Sequence, residues 1–165
     1  MLNENRISLS RVRIEHAKED LHTASENAEA GRYRSANNRA YYAMYHTLRA
    51  LFAMDGVEFK KHSESLGYFN KTYVHTGLIE SRLNKALMAA SKCRTDSDYE
   101  DFYVATKDEA DDNIKGATEL LEAVERLIEV RLGAEVVLED TNAQSCNIGE
   151  NKHDSELDKE NNQEI

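Results

Sequence analysis

The side chains of chemical interest fall in one stretch, residues 33–52, YRSANNRAYYAMYHTLRALF, which carries Arg39, Tyr42, His46 and Arg49. Arginine presents a permanently charged planar fork that matches the oxygens of a phosphate. Histidine, with an ordinary pKa of about 6.5, gives or takes a proton near neutrality. In a helix that turns about 100° per residue, His46 falls about 20° from Arg39, and Tyr42 and Arg49 about 60° and 80° away. Ser35 and Arg32 fall on the same arc of about 100°. At about 1.5 Å of rise per residue, Arg39 and His46 stand about 10 Å apart along the axis, a gap that a long arginine side chain spans. Both therefore reach a single phosphodiester. The same arc also suits a solvated edge of a bundle helix, and spacing alone leaves the two readings open.

The elements that position this arc are helical. Proline is absent and there are 7 glycines in 165 residues, so few turns are forced. Ile14, Ala17, Leu21, Ala24 and Ala28 step by 3 and 4 and predict a first helix over residues 10–29, stopped by Gly31. The arc lies on a second helix, residues 34–54, whose apolar face holds Ala36, Ala40, Ala43, Met44, Leu48 and Leu51. Arg39 and His46 sit at the border of that face. A basic connector, EFKKHSES, leads to a short third helix over residues 65–75, and a fourth follows over residues 80–92. CRTDSD then reads as a loop, and Tyr99, Phe102 and Tyr103 as aromatics that plug the core. Thr106 and Glu109 form a capping box for the last helix, which Arg131 and Gly133 end. The first and last helices share a narrow seam, which pairs them antiparallel. The fold class expected is all-α, an up-and-down bundle of four to five helices. Residues 1–132 form the bundle domain and 133–165 an acidic, aperiodic tail expected to be disordered.

Charge is unevenly spread. The chain carries −10 overall, and the tail from residue 133 holds 9 acids and 2 bases. Residues 32–94 hold 11 bases against 4 acids, whereas residues 95–130 hold 3 against 12. A basic middle attracts a polyanion, or pairs with acids across helix surfaces. Lys60, Lys61 and His62 in the connector extend an anion-binding surface, or His62 caps the third helix. Cys93 and Cys146 have no metal-ligand spacing, and HExxH and CxxC patterns are missing, so no metal and no cofactor is expected. No apolar run is long enough for a membrane span, and a cytoplasmic home is expected. No Gly-rich phosphate loop is present.

The segment GRYRSANNRAYYAMYHTLRALFAMDGVEFKKHSESLGYF, with DYEDFYVATKDEADDNIKGATELLEAV further on, resembles the small stand-alone HEPN proteins of bacteria and archaea, often encoded beside a minimal nucleotidyltransferase. The likeness covers roughly residues 14–132 and leaves the tail outside. It implies a helical bundle that forms a homodimer. Ribonuclease members carry an Arg, four to six residues, then a His, and Arg39 and His46 match with six between. The resemblance implies metal-independent RNA cleavage in a dimer cleft by attack of the ribose 2′-OH, with Arg39 and His46 catalytic. Arg32, Tyr42, Arg49, Lys60, Lys61 and His62 are the expected substrate-binding residues. It also implies the toxin half of a toxin–antitoxin pair, with a minimal nucleotidyltransferase as antitoxin. Ala40 stands where nuclease members commonly have a polar residue, and Leu48 where some toxins have a modified tyrosine. Other members bind a nucleotide or partner a nucleotidyltransferase without cutting RNA, which is the alternative reading.

Overall fold

The computed structural model describes residues 3–149, with side chains described as far as residue 134. Among the described residues five α-helices follow one another: α1, Glu4–Glu29; α2, Tyr33–Asp55; α3, His62–Phe69; α4, Ser81–Tyr99; and α5, Lys107–Gly149. A π-helical turn, Asn70–Val74, extends α3. The all-α class expected from the sequence is the one found. The chain divides into two units, Met1–Glu129 and Val130–Ile165, and the contacts described below lie in the first.

α2 is the axis of the first unit. Its expected stripe of Ala36, Ala40, Ala43, Met44, Leu48 and Leu51 is buried throughout. The alanines keep the helix thin, so neighbours approach closely. α1 lies along it, with Ile14, Ala17 and Ala24 turned into the core. Arg13 bonds the Arg49 carbonyl and Asp20 bonds Arg39, so α1 and α2 run antiparallel as a hairpin. α4 packs on α2 through Leu83, Leu87 and Ala90. α5 is joined to α2 by a buried amide pair, Asn113 Nδ2 to Asn37 Oδ1 at 2.9 Å. Gly116 of α5 lets Met44 and Ala86 close in, since a Cβ there would stand 2.9 Å from the Ala86 Cβ. Lys18 of α1 reaches Glu125 of α5 at 2.8 Å, so those two helices adjoin as well.

The capping box of α5 is present in both directions: the Thr106 N–H donates to Glu109 Oε2 at 3.0 Å, and the Glu109 N–H donates to Thr106 Oγ1 at 3.2 Å. α2 stops at Gly56, whose φ of 71° is left-handed, a conformation that glycine adopts without a Cβ clash.

Four expectations are corrected. α1 begins at Glu4, with the Asn3 side chain accepting from the Asn5 N–H, rather than at residue 10. α3 begins at His62, with Lys61 at its cap, rather than at residue 65. α4 does not end at Lys92 but runs through CRTDSD to Tyr99. Its turn-favouring residues are held in helix by packing on α2, with Ser97 buried there. As a result the aromatics after it do not plug the core: Tyr99 and Phe102 are 84% and 97% exposed, and only Tyr103 is partly covered. α5 passes Gly133 and continues to Gly149. A single glycine within a helix costs only about 1 kcal/mol relative to alanine, too little to end it alone. Of the acidic tail expected to be disordered, residues 150–165 lie outside the described residues.

Candidate functional site

The α1–α2 hairpin sets Asp20 against the polar arc of α2. Arg39 Nη1 donates to Asp20 Oδ1 at 2.9 Å. His46 Nε2 stands 3.6 Å from the other oxygen, Oδ2. The two side chains that the sequence places about 10 Å apart along the axis thus converge on one carboxylate. Asp20 and His46 are mostly covered, with side chains 15% and 22% exposed, while Arg39 keeps 41% of its side chain open. Arg39 Nη2 also donates to Asn38 Oδ1 at 3.1 Å, which fixes the plane of the fork.

His46 is held below the ordinary histidine pKa. Burial is the main cause; the Asp20 carboxylate opposes it, and Arg49, His16 and Arg13 add to the depression. His46 Nδ1 is buried with no hydrogen-bond partner, which also disfavours the doubly protonated ring. His16 of α1 meets His46 edge-on, ring centroids 5.6 Å apart.

A second group lies beside the first. Two cations lie over Tyr42: the Arg39 guanidinium is 5.0 Å and the Arg94 guanidinium 5.4 Å from its ring centroid. Arg94 also stands 5.5 Å from the Tyr41 ring centroid. The Tyr41 hydroxyl and His62 Nδ1 are 2.8 Å apart, and the His62 ring stacks on Tyr45 at 4.3 Å. Burial and the Arg94 charge lower the His62 pKa.

The expected substrate-binding residues divide accordingly. Tyr42 lies in the cluster with Arg39, and His62 adjoins it through Tyr41 and Tyr45. Arg49 pairs with Glu58 at 3.4 Å. Arg32 leads into α2 and donates to Asn27 Oδ1 at 2.8 Å. Lys60 and Lys61 are exposed and make no ion pair among the described residues. His62 opens α3, but its ring stacks on Tyr45 and does not cap the helix.

Sequence reasoning passed over Asp20 and Arg94. Asp20 follows Ile14 by six and Ala17 by three, a spacing that turns it towards the face α1 presents to α2; a lone acid on an apolar border is the signal. Arg94 was hidden by reading CRTDSD as a loop. Beside Arg39 a polar groove of about 370 Å³ is lined by Asn27, Arg34, Ser35, Asn38, Ser97 and Asp98. Among the described residues no three His, Cys, Asp or Glu side chains are grouped to hold a metal ion. No described helix is long and apolar enough to cross a membrane.

The model of the HEPN domain matches residues 10–127, which takes in all of α2, α3 and α4. The chain belongs to the HEPN family. Its HEPN domain is 34% identical over 113 residues to a UPF0332 protein of Thermotoga maritima, covering 68% of this chain and 86% of that one. A Methanocaldococcus jannaschii protein, named a candidate toxin, is 34% identical over 86 residues, 52% of this chain and 64% of that one. Among solved structures, TT1696 from Thermus thermophilus superposes with a TM-score of 0.62 at 23% identity, over 74% of this chain and 98% of that one. At that identity the likeness concerns the fold alone.

Proposed function

We propose that this HEPN protein is a metal-independent endoribonuclease, the toxin half of a toxin–antitoxin pair, with Arg39 and His46 as its catalytic residues. The observation that carries the reading is the meeting of Arg39 Nη1 and His46 Nε2 on the two oxygens of the Asp20 carboxylate, at 2.9 and 3.6 Å. A guanidinium and an imidazole that bracket one carboxylate are spaced to bracket one phosphate. The relative named a candidate toxin supports the toxin class.

The chemistry follows from the groups. Cleavage requires that the ribose 2′-OH lose its proton as its oxygen attacks the adjacent phosphorus. The bond to the 5′-oxygen then breaks, and that oxygen takes up a proton. The products are a 2′,3′-cyclic phosphate and a free 5′-hydroxyl. A neutral imidazole accepts the first proton, and an imidazolium supplies the second. In a homodimer, two copies of His46 divide these tasks. The depressed His46 pKa favours the neutral ring near pH 7, the form that acts as the base. The transition state gathers negative charge on phosphate oxygens, which Arg39 stabilises. Asp20 is a positioning residue: it steers both groups to one point and offsets the burial of His46. Arg94 and Tyr42 present a cationic and aromatic face to the adjoining nucleotide.

The test is incubation of the pure full-length chain with end-labelled single-stranded RNA in the presence of a chelator. Fragments ending in 2′,3′-cyclic phosphate are expected. Intact RNA, or fragments ending in a 3′-hydroxyl, would count against the reading.

The alternative is a non-catalytic module that holds a nucleotide or docks a minimal nucleotidyltransferase. The polar groove beside Arg39 favours it, since such a groove needs no reaction to hold a ligand.

A further inference from the structure

The donors at the Arg39–His46 edge are partly spent. Arg39 commits one terminal nitrogen to Asp20 at 2.9 Å and the other to Asn38 at 3.1 Å. Its charge is offset by the carboxylate it holds. A phosphodiester adds a negative charge, and the transition state of its cleavage gathers more on the two nonbridging oxygens. Nearby arginines do not make up the difference, since Arg13 and Arg49 share Glu58, at 3.3 and 3.4 Å.

His16 is placed to supply what is missing. The register of the α1–α2 hairpin is set by Arg13 Nη1 on the Arg49 carbonyl at 2.8 Å and by Asp20 on Arg39. His16 lies three residues after Arg13, and His46 three before Arg49, so the two imidazoles meet across the hairpin. Their ring centroids are 5.6 Å apart, with the planes at 74°. Asp20 stands four residues further along α1, on the same face and one turn away. Arg39 and His16 therefore come to His46 from different sides, the one with Asp20 and the other a turn nearer the Arg13–Arg49 contact.

His16 is exposed and makes no hydrogen bond or ion pair among the described residues. An imidazole carries an N–H donor whether or not it is charged. Two rings in edge contact both reach one phosphate, whose oxygens accept from nitrogen at about 2.7–3.2 Å. We propose that His16 is a further catalytic residue, which donates to one nonbridging oxygen of the scissile phosphate while Arg39 donates to the other. This role rests on the ribonuclease reading. It leaves the proton transfers with His46 and gives α1 a direct part in the chemistry, beyond the positioning done by Asp20.

The test uses the full-length chain and an RNA with a single scissile linkage, made with oxygen or with sulfur at either nonbridging position. Sulfur is larger than oxygen and a weaker acceptor, so it slows cleavage wherever a donor must reach it. Single-turnover rates are measured for the wild-type chain, His16→Ala, Arg39→Ala and His46→Ala. His16→Ala should cut the all-oxygen RNA about tenfold more slowly, the scale of one charge-assisted hydrogen bond. The penalty of sulfur in one configuration should be lost in His16→Ala, and that of the other configuration in Arg39→Ala, the coupling that marks a direct contact. An unchanged rate in His16→Ala would overturn the role. So would a slower rate with both sulfur penalties intact, the mark of a ring that only packs on His46. Loss of the same penalty in both variants would contradict the two-sided hold. Intact RNA with the wild-type chain would overturn the ribonuclease reading and this role together. Cleavage that His46→Ala abolishes and His16→Ala leaves untouched would overturn this role alone. His16 is exposed, so its truncation leaves the core as it is.

Discussion

Asp20 and His46 face each other across the α1–α2 hairpin, with Oδ2 and Nε2 3.6 Å apart. Burial and the Asp20 carboxylate act on the imidazole in opposite senses. Removing water from the imidazole disfavours its charged form, whereas the carboxylate favours it. The balance falls on the side of burial, so the ring in the folded chain binds its proton less readily than in the unfolded one.

The pH dependence of stability follows. The unfolded chain takes up a proton at His46 at about pH 6.5, before the folded chain does. The stability held in the neutral ring is therefore fully present above about pH 6.5 and is lost as pH falls from there through the lower folded value. His62 is shifted in the same direction and adds to the effect. Asp20→Asn removes the group that opposes burial and should lower the His46 midpoint further. Imidazole titration followed by NMR checks both points. A midpoint above that of an unfolded peptide, or one that rises in Asp20→Asn, would refute them.

Glycine has opposite meanings at two helical positions. A Cβ at Gly116 would stand 2.9 Å from the Ala86 Cβ and 3.1 Å from the Met44 Cε. The alanine carbon is fixed to its helix and has no room to yield. Gly116→Ala should therefore destabilise by about 1–2 kcal/mol, overpacking outweighing the better helix propensity. Gly67 of α3 has open space where its Cβ would be. Gly67→Ala should stabilise by about 0.5–1 kcal/mol. Urea denaturation of the two variants should move the midpoint in opposite directions.

The Asn37–Asn113 pair gives a third expectation. Asn37 is fully buried and Asn113 5% exposed. Asn113→Ala strands the Asn37 carbonyl oxygen, whose amide nitrogen already lacks a partner. The loss should be about 1–3 kcal/mol in denaturant titration. Leucine at both positions restores an apolar contact and should recover much of it, whereas a double variant as weak as the single one would argue against hydrogen bonding as the cause.

What the sequence makes legible follows a physical division. The α2 stripe and the Thr106–Glu109 box are local patterns with a period, and both stand where the pattern places them. The Arg39–His46 pairing was also accessible, since both lie on one helix with a calculable angle. Asp20 was not, because it comes from another helix and depends on how α1 is turned against α2. Ser, Thr and Asp in CRTDSD favour turns, yet packing on α2 keeps them helical, and this carried Arg94 and Ser97 out of view. Tyr99 and Phe102 show the converse: large aromatic rings suggest a core, but the longer α4 leaves them beyond its end.

The central claim is that Arg39 and His46 act together on one phosphodiester. Its most direct test is the single-turnover cleavage rate of a defined RNA by the wild-type chain and by His46→Ala, with circular dichroism confirming equal folding. The rate should fall at least about a hundredfold, the smaller end of what general acid–base catalysis supplies. Equal rates in the two proteins would contradict the account.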